Sequence, residues 1–592
     1  MDQSGSTHAS ESFDDSIEAN LQLLSPNLRG WVNDHYVSAM IEGKKMRICN
    51  IDRCGKKFSA SSSHLSLRKH WKIAHNEQPN LKATRFLFSE ELHTNRLIKL
   101  VIDAKLNFTI VERPSFLLFV ESLNPHKKII CRRTLSNMIT SRLQSLALQV
   151  TEKISEIDAI ALTFDIWSPR KGARGFGCIT AHYIERDGTP RNLILNFRRL
   201  KHPHDGDSIC AYLQKTIVAH KLEGRIVAIT TDNASVNITA IRKLVNSVEL
   251  SPLSHGFVHY KCVAHIIDLG VRVAIKKLKN MIESVRQAIL GVRSSGKRRE
   301  MFIAIQERLI GDLDQSTDRP LELIEDIDHR WSSSLLMLER AYTLRTALDE
   351  LLNTDPKLVS IGDIDWPTIE HLITFLKPFH DATKRVCVEE NCSISSVSFV
   401  TPRLIEHCLK HENSSNDVIK DAARSLGSKL NEYRSDIYHP LVNIAHILDP
   451  RYKTKGIEEN ECLFLKSEIQ SMLDCTTERD VGSASASQTA TIFCDDSDTE
   501  LESVDELDLY LKSRRESQNT NAYLYWKLAS SQMPKLASIA RKILCIQATS
   551  VASERVFSIA GNVDTVSRNR LTDDSVESIM LAKSWMVFLG VE

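Results

Sequence analysis

The alternation of apolar and polar positions predicts a buried sheet near the middle of the chain. Residues 159–168 (AIALTFDIWS) alternate in the manner of a strand and place Asp165 near its carboxyl end. A second run, residues 225–231 (RIVAITT), is also followed by an acid, Asp232. Ligands of open α/β sheets gather beyond the carboxyl ends of the strands. Because hard carboxylate oxygens suit Mg²⁺, the two acids can share a divalent cation there.

Further strand patterns surround this pair of acids. They cover residues 175–184, 192–199 and 257–261, and a helical pattern at residues 207–219 precedes the second acidic strand. The resulting order is β-β-β-α-β, with acids on the first and fourth strands. This order is typical of a ribonuclease-H-like α/β core.

Helical periodicity dominates the rest of the chain. It covers residues from about 87 to 149, from about 270 to 475, and from 521 onward, with prolines that break it into shorter helices. Residues 1–25 are polar and acidic without periodicity, which predicts a disordered tail. Residues 475–508 turn to Ser, Thr and Ala and then to acids, which predicts a solvated linker.

Composition narrows the class of protein. The 592 residues leave room for several domains, and the 42% apolar and 26% charged content is ordinary for a soluble globular protein. No run of about eighteen apolar residues exists, so no membrane span is expected. The polar N-terminus lacks the apolar stretch of a secretory signal. Thirteen Cys, an odd number without such a signal, favour reduced thiols in the cytosol or nucleus.

A zinc site is predicted in a basic segment near the N-terminus. Residues 44–72 contain nine Lys or Arg and one Asp. A Cys-x4-Cys pair is followed, after fifteen residues, by a His-x4-His pair. Two thiolates and two imidazoles at this spacing suit tetrahedral Zn²⁺, and the expected ligands are Cys49, Cys54, His70 and His75. Phe58 and Leu67 supply the small core that a ββα finger needs.

Two aromatic residues upstream of this site, Trp31 and Tyr36, resemble those of the BED-type finger, a DNA-binding module. The alternative is that they are two ordinary surface aromatics. The nine basic residues favour the first interpretation, because contacts to DNA phosphates are made by Lys and Arg.

The remaining motifs resemble those of one transposase family. The C-terminal run PKLASIARKILCIQATSVASERVFSIAGNVDTVSRNRL, residues 534–571, is similar to the C-terminal signature of the hAT (hobo–Activator–Tam3) superfamily. Other matching pieces follow in the family's order: TFDIWS at 163–168, TTDNASVN at 230–237, KCVAHIIDLGV at 261–271, DHRWSSSLLMLER at 328–340 and ILDPRYK at 447–453. With the finger, the resemblance covers the chain from about residue 30 to its last residues.

The resemblance implies α/β plus all-α architecture, in which a large helical insertion interrupts the ribonuclease-H-like core. A zinc finger and a small helical region precede that core. The expected organisation is a disordered tail at 1–25, a BED-type finger at 26–80, a helical DNA-binding or dimerisation region at 85–150, the first part of the core at 155–265, the helical insertion at 266–475, an acidic linker at 476–510, and the last part of the core with the dimerisation region at 520–592.

The resemblance also implies an enzyme, a DNA transposase of the Asp-Asp-Glu type. Its catalytic carboxylates fall on Asp165, Asp232 and Glu554, which would bind Mg²⁺ or Mn²⁺. Such an enzyme would cut and join double-stranded DNA at terminal inverted repeats and target sites, with a hairpin on the flanking DNA. It would act in the nucleus as a homodimer or higher oligomer, without a membrane partner. Without the resemblance, Glu554 would be interpreted as a surface charge on a helix.

Four further residues match positions of the family that are expected to contact DNA. Trp331 could stack on a base that has left the duplex, and Arg330 could hold a phosphate beside it. The alternative for Trp331 is core packing on an amphipathic helix. Cys262 and His265 match a Cys-x2-His pair near the active site. They could instead be half of a zinc site, although no second pair with usable spacing lies nearby.

Two other functions remain open. A domesticated regulator would bind DNA through its finger and keep the helical domain for dimerisation without strand transfer. An unrelated nuclease of the same core fold would explain the two acids that end the strands, but it would not explain the insertion or the C-terminal motif. The presence of all three acids and Trp331 favours the transposase.

Overall fold

The structure is a computed structural model, and the chain divides into two compact units, Met1–Leu97 and Ile98–Glu592. The residues that it describes are 36–41, 44–49, 54–75, 89–124, 128–168, 175–250, 257–312, 319–327, 330–355, 358, 364–388, 391–481, 505–563 and 572–591. The predicted tail at 1–25, Trp31 and most of the predicted acidic linker lie outside these residues.

The first unit contains a small antiparallel sheet and a helix. Three strands pair in the order β1-β2-β3, and helix α1 follows them: β1 (Tyr36–Ile41), β2 (Lys44–Cys49), β3 (Lys57–Ser59) and α1 (His64–Ala74). Ser63 caps α1 by accepting the backbone N–H of Ser66. Tyr36, Leu67 and Trp71 form the buried core, against which Phe58 packs. Helix α2 (Glu90–Asp103) begins in this unit and ends in the second.

The second unit continues with helices and then forms a five-stranded sheet. Its elements up to the insertion are the 3-10 turn Phe108–Glu112, α3 (Pro114–Leu123), α4 (Arg132–Ser155), β4 (Ile160–Trp167), β5 (Gly175–Ile184), β6 (Pro190–Leu200), α5 (Gly206–Ala219), β7 (Ile226–Thr231), α6 (Ser235–Val245) and β8 (Val258–Lys261). The strand order is β6-β5-β4-β7-β8. Strands β4, β7 and β8 run parallel to one another, whereas β5 runs antiparallel to both of its neighbours, β6 and β4. The predicted ribonuclease-H-like order is confirmed.

A series of helices lies between strand β8 and the C-terminal helices, as the predicted insertion requires. Its helices are α7 (Val263–Lys277), α8 (Lys279–Arg293), α9 (Gly296–Asp312), α10 (Trp331–Thr343), α11 (Arg345–Thr354), α12 (Trp366–Val386), the 3-10 turn Ile394–Ser396, α13 (Val397–His411), α14 (Asp417–Glu432), α15 (Arg434–Ile437), α16 (Pro440–Leu448) and α17 (Glu459–Val481). Within the described part of the chain, every helix is too short or too polar to span a bilayer.

Helices near the C-terminus return to the sheet. They are α18 (Glu506–Lys512), α19 (Ala522–Ala529), α20 (Pro534–Leu544), α21 (Val551–Val563) and α22 (Asp573–Leu589). Helix α20 contacts β5, α21 contacts β4 and β5, and α22 contacts β6. Every residue of β5 is buried, as expected for a strand that lies between two others beneath such helices.

Helix α21 covers one face of β4. Successive side chains of a strand point to opposite faces, so every second residue of β4 points toward this helix. The indole of Trp167 stacks on Phe557 of α21, with the ring centroids 6.0 Å apart. On the other face, Phe164 packs against Tyr212 of α5. Asp165 alternates with Phe164, so its carboxyl group lies on the face that α21 covers.

Candidate functional site

The four predicted zinc ligands come together in the first unit. Cys54 Sγ lies 3.4 Å from His70 Nε2, and Cys49 Sγ lies 3.5 Å from His75 Nε2. The four donor atoms all lie within 4.8 Å of one another. Zinc bonds of about 2.3 Å to sulfur and about 2.0 Å to nitrogen give sulfur–nitrogen edges of about 3.6 Å in a tetrahedron. The donor set and its dimensions therefore fit Zn²⁺.

The surroundings of these ligands favour metal binding. Burial lowers the pKa of His70, and the neighbouring His75 and Lys56 lower it further, so its imidazole stays neutral as a ligand must. Tyr36 packs edge-on against Phe58 and donates its hydroxyl to the carbonyl of Leu67 at 2.7 Å. The helix that carries His70 is thereby fixed to the strand side of the finger.

The two acids that end the strands lie at the same edge of the large sheet. The parallel register of β4 and β7 pairs Thr163 with Thr230, so Asp165 and Asp232 follow at the same level, two positions later. Asp165 Oδ1 accepts the N–H of Ile166 at 2.7 Å. Asp232 Oδ1 accepts the N–H of Ala234 at 3.0 Å and the amide of Asn237 at 2.5 Å.

Glu554 lies in the first turn of α21, where its side chain is solvent-accessible. Partial enclosure raises the pKa of its carboxyl group, the nearby His265 and Arg330 lower it, and Asp268 and Asp232 raise it. Burial raises the pKa of Asp165 well above its usual value, and the charges of Asp232 and Glu554 raise it further. The charges of Asp232 and Glu554 therefore both act on Asp165, which places the three acids in one region of the second unit.

The carboxylate oxygens of the three acids do not all lie within 4.8 Å of one another, whereas the donor atoms of the zinc ligands do. Among the described residues, only the finger holds a group of three or more His, Cys, Asp or Glu side chains whose donor atoms all lie within 4.8 Å of one another. Two divalent cations in one site stand about 3.5–4 Å apart, so a carboxylate cage that holds both is wider than a site for one ion.

Segment 545–550, which precedes α21, is tied to three parts of the second unit. Thr230 of β7 donates its hydroxyl to the carbonyl of Gln547 at 2.7 Å. The N–H of Val263 donates to the carbonyl of Ala548 at 3.0 Å, and the N–H of Ala548 donates to Ser393 Oγ at 3.1 Å. The sheet, α7 and the helical insertion therefore all position the helix that carries Glu554.

Two of the predicted DNA-contacting residues lie beside the acids. Arg330 is exposed at the N-terminus of α10, and His265 is half-buried in the first turn of α7. Both lower the pKa of Glu554, so each lies near enough to act on its carboxyl group. An anionic ligand at the acids would meet these two side chains.

Cys262 requires a correction. It is fully buried, and its sulfur accepts the N–H of Ser550 at 3.4 Å. Burial raises the pKa of its thiol to about 12, so the group stays protonated. A side chain enclosed in this way cannot contact DNA directly. Its observed role is to fix the chain immediately before α21.

Trp331 is also buried, with 7% of its surface exposed. Its indole belongs to the hydrophobic core and meets His380 edge-on, with the ring centroids 6.0 Å apart. This arrangement is the core-packing alternative, and the predicted base-stacking surface is not accessible in it. Stacking on a base would require the indole to leave this position.

Three hydroxyl-bearing residues near the acids were missed by the sequence reasoning: Thr163, Thr230 and Ser553. Each of the first two stands two positions before an acid, in TFD and in TTD, and Ser553 immediately precedes Glu554. The repeated Thr-x-Asp spacing was a signal that could have identified them. Asn237, which binds Asp232, was missed as well and had only its place in TTDNASVN to mark it.

Comparison with known families gives four matches along the chain. Residues 163–256 match the ZBED1 RNase-like domain, and residues 260–375 match its helical domain. Residues 399–479 match the hAT-like transposase RNase-H fold, and residues 506–586 match the hAT family C-terminal dimerisation region. The matches together extend from the first acidic strand to the last helix.

Similar proteins cover most of the chain at low identity. A Zea mays protein named for the AC transposase is 25% identical over 93% of this chain and 74% of its own length. A Talaromyces stipitatus protein named for a transcriptional regulator, tpeD, is 24% identical over 93% and 71%. The zinc finger BED domain-containing protein RICESLEEPER 2 of Oryza sativa is 22% identical over 87% and 78%. The chain therefore contains a hAT dimerisation region and a hAT-like RNase-H domain, and over most of its length it is similar to AC transposases and BED zinc finger proteins.

Proposed function

We propose that this protein is a DNA transposase that cuts and joins DNA by metal-dependent phosphoryl transfer. The observation that carries the proposal is the parallel register of β4 and β7, which brings Asp165 and Asp232 to one edge of the sheet, where α21 with Glu554 packs against β4. Burial and the charges of Asp232 and Glu554 raise the pKa of Asp165, so a bound cation would stabilise its ionised form. The relative named for the AC transposase supports the same assignment.

The three acids would hold Mg²⁺ or Mn²⁺, since both cations prefer carboxylate oxygens. When bound, such cations supply activation of the attacking oxygen and stabilisation of the leaving oxygen in an in-line displacement at phosphorus. The protein's own part is to hold the carboxylates in place. Asn237 and the Ala234 N–H orient Asp232, and the Ile166 N–H orients Asp165.

Arg330 and His265 would bind the DNA phosphates beside the acids. Arg330 is exposed at a helix N-terminus, where its guanidinium and the helix dipole both favour an anion. In this proposal, the strand enters with its scissile phosphate between these side chains and the carboxylates. A freed 3′-hydroxyl would then attack the opposite strand and leave a hairpin on the flanking DNA.

The finger would supply affinity for the terminal repeats. Zn²⁺ held by Cys49, Cys54, His70 and His75 would stabilise the small first unit, whose core contains few large side chains. The basic residues of segment 44–72 would contact DNA phosphates. The cut ends of an element must be held together, so we propose a homodimer or larger oligomer that acts in the nucleus and is joined through residues 506–586.

The test is a cleavage assay with Mg²⁺ or Mn²⁺ on DNA that carries the terminal sequences flanking the gene. We expect cleavage by the wild-type chain and none by Glu554→Gln, with equal DNA binding by both. A regulator without strand transfer, the alternative that the tpeD relative represents, predicts binding without cleavage for both proteins. Specific binding with no cleavage by wild type in either metal would exclude the transposase assignment.

A further inference from the structure

Three threonines lie side by side across the large sheet, one level below the acids. The register pairs Thr163 of β4 with Thr180 of β5 on one side and with Thr230 of β7 on the other. All three are buried, with at most 4% of their surface exposed. We name them the threonine row. Asp165 and Asp232 stand two positions beyond Thr163 and Thr230, on the same faces of their strands.

The threonine row binds the chain segment that carries Glu554. Thr163 Oγ1 lies 2.8 Å from Oγ of Ser553, the residue before Glu554. Thr230 donates its hydroxyl to the carbonyl of Gln547 at 2.7 Å. Two hydroxyls of the sheet therefore hold segment 545–550 at Gln547 and the first turn of α21 at Ser553.

The other end of the row is also fixed. Thr163 Oγ1 lies 2.5 Å from Thr180 Oγ1, which in turn lies 2.8 Å from His182 Nε2. Burial lowers the pKa of His182 to about 3, so its ring is neutral and can act as a hydrogen-bond partner without bringing a charge. The hydroxyl of Thr163 thus has two partners in fixed positions, which restricts its rotation.

The bond from Thr163 to Ser553 acts together with a second contact. Ser553 and Phe557 are four residues apart, so they lie on one face of α21. Ser553 contacts Thr163, and Phe557 stacks on Trp167, so α21 meets β4 on both sides of Asp165. Glu554 follows Ser553 directly, so these contacts set the separation between its carboxyl group and Asp165.

We infer that the threonine row is a positioning device for the third acid. The inference rests on the proposed function, because it assigns the row a role in the cation site of that function. Thr163 and Thr230 do not touch substrate or cation; they hold the segment that delivers Glu554 to the strand ends. Hydroxyls serve here because a buried backbone carbonyl and a buried Ser hydroxyl both need a partner.

The experiment measures Mn²⁺ affinity of the full-length chain by the electron paramagnetic resonance signal of free Mn²⁺. Thr163→Val and Thr230→Val keep the side-chain shape but remove the hydroxyl. A lost hydrogen bond of about 0.5–1.5 kcal/mol corresponds to a weakening of about twofold to tenfold. We expect each variant to lose Mn²⁺ affinity by such a factor, and Thr163→Ser to recover most of it.

Thr216→Val is the matched control. Thr216 is equally buried, donates to the Tyr212 carbonyl at 2.9 Å and accepts from the Asn196 amide at 2.8 Å, but it lies on α5 on the opposite face of the sheet. We expect it to lower the melting temperature as Thr163→Val does, with Mn²⁺ affinity unchanged. An equal loss of affinity in the control would show that general destabilisation is the cause and would overturn the inference.

A double-mutant cycle tests whether the row acts through Glu554. In a Glu554→Gln background, Thr163→Val should weaken Mn²⁺ binding no further, because the positioned carboxylate is gone. An undiminished effect in that background would overturn the inference. If Thr163→Val does not fold, Ser553→Ala removes the same bond from the other side and is judged by the same criterion.

The same titrations separate this inference from the proposed function. If Asp165→Asn and Glu554→Gln weaken Mn²⁺ binding but Thr163→Val and Thr230→Val do not, the row has no positioning role and the cation site stands. If Asp165→Asn and Glu554→Gln leave Mn²⁺ binding unchanged, the acids are not a cation site, and both proposals fail together.

Discussion

The finger takes its four ligands from residues 49–75, whereas the acidic site takes its three from positions spread over residues 165–554. In the finger, the end of β2, the turn that follows it and helix α1 bring the donor atoms within 4.8 Å of one another around a small core. In the second unit, a large hydrophobic core and a sheet position the acids before any ligand arrives. The first site should therefore need its metal to fold, and the second should need its fold to bind metal.

The difference also appears in the electrostatics. The zinc ligand His70 has its pKa lowered, which prepares it to bind a cation at neutral pH. Asp165 has its pKa raised by burial and by two like charges, so its ionised form is unfavourable in the folded protein without a cation. A metal relieves this repulsion but is not required for the sheet to form.

The largest effect is expected from the acids. Asp165→Asn, Asp232→Asn and Glu554→Gln should each reduce DNA cleavage by at least about a thousandfold, since the amide keeps the shape but removes the charge that binds cations. Binding to terminal DNA, measured by electrophoretic mobility shift, should change by less than about twofold, because the finger supplies it. Cleavage above a few per cent of wild type would remove that residue from the site.

The next largest effect is expected in the finger. Cys54→Ala, or chelation of zinc, should unfold the first unit and weaken terminal DNA binding by about a hundredfold, because structural zinc supplies most of the folding free energy of such a domain. The melting transition of residues 98–592 should stay in place, which differential scanning calorimetry would show. Retention of one zinc per chain in a Cys49/Cys54 double variant would contradict the assignment.

Trp331→Ala separates packing from DNA distortion. Because the indole is 7% exposed, its removal should cost about 3–5 kcal/mol of unfolding free energy and depress nicking and hairpin formation together. If the indole leaves the core to stack on a base, nicking should persist while hairpins fall by one to two orders of magnitude, as about 1–3 kcal/mol of stacking implies. Chemical denaturation and both reaction steps would be measured on one preparation, with Trp331→Phe as the milder variant.

The smallest effect concerns pH and stability. The pKa of Asp165 is raised by folding, so the folded state binds its proton more tightly than the unfolded state does. The contribution of Asp165 to the unfolding free energy of the metal-free protein should therefore fall as pH rises from about 4 through that raised pKa. Thermal melts should show a weaker fall in Asp165→Asn and a recovery on adding Mn²⁺ to wild type. A pH dependence identical in both proteins would show that Asp165 is not the group responsible.

The comparison also explains how much the sequence alone could predict. The zinc ligands were identified from spacing because all four lie in one local motif. Strands β4 and β7 and the acids that follow them could be predicted from the pattern of apolar and polar residues, since a buried strand that ends in an acid is recognisable in sequence. Glu554 was identified only through the family resemblance, because nothing in a helical Glu beside Arg555 indicates that α21 returns to the sheet.

Burial separates Cys262 and Trp331 from the residues that stand beside them in the sequence. Cys262 and Trp331 stand beside His265 and Arg330 in motifs of mixed chemistry, and a motif does not state which of its members faces the core. The structure buries the first two and exposes Arg330. The contacts of Thr163 with Ser553 join parts of the chain that are far apart in sequence, so no local pattern could have predicted the pair.

The return of α21 to the sheet has a consequence for the chain while it is being synthesised. Asp232, the later of the two strand acids, leaves the ribosome about 320 residues before Glu554 does, and the finger leaves it earlier still. At about 5–20 residues per second, this interval lasts roughly 16–64 seconds. During that time a nascent chain can hold a folded finger but only two of the three carboxylates. In the proposed transposase, the third carboxylate therefore joins the other two only after residue 554 has been synthesised.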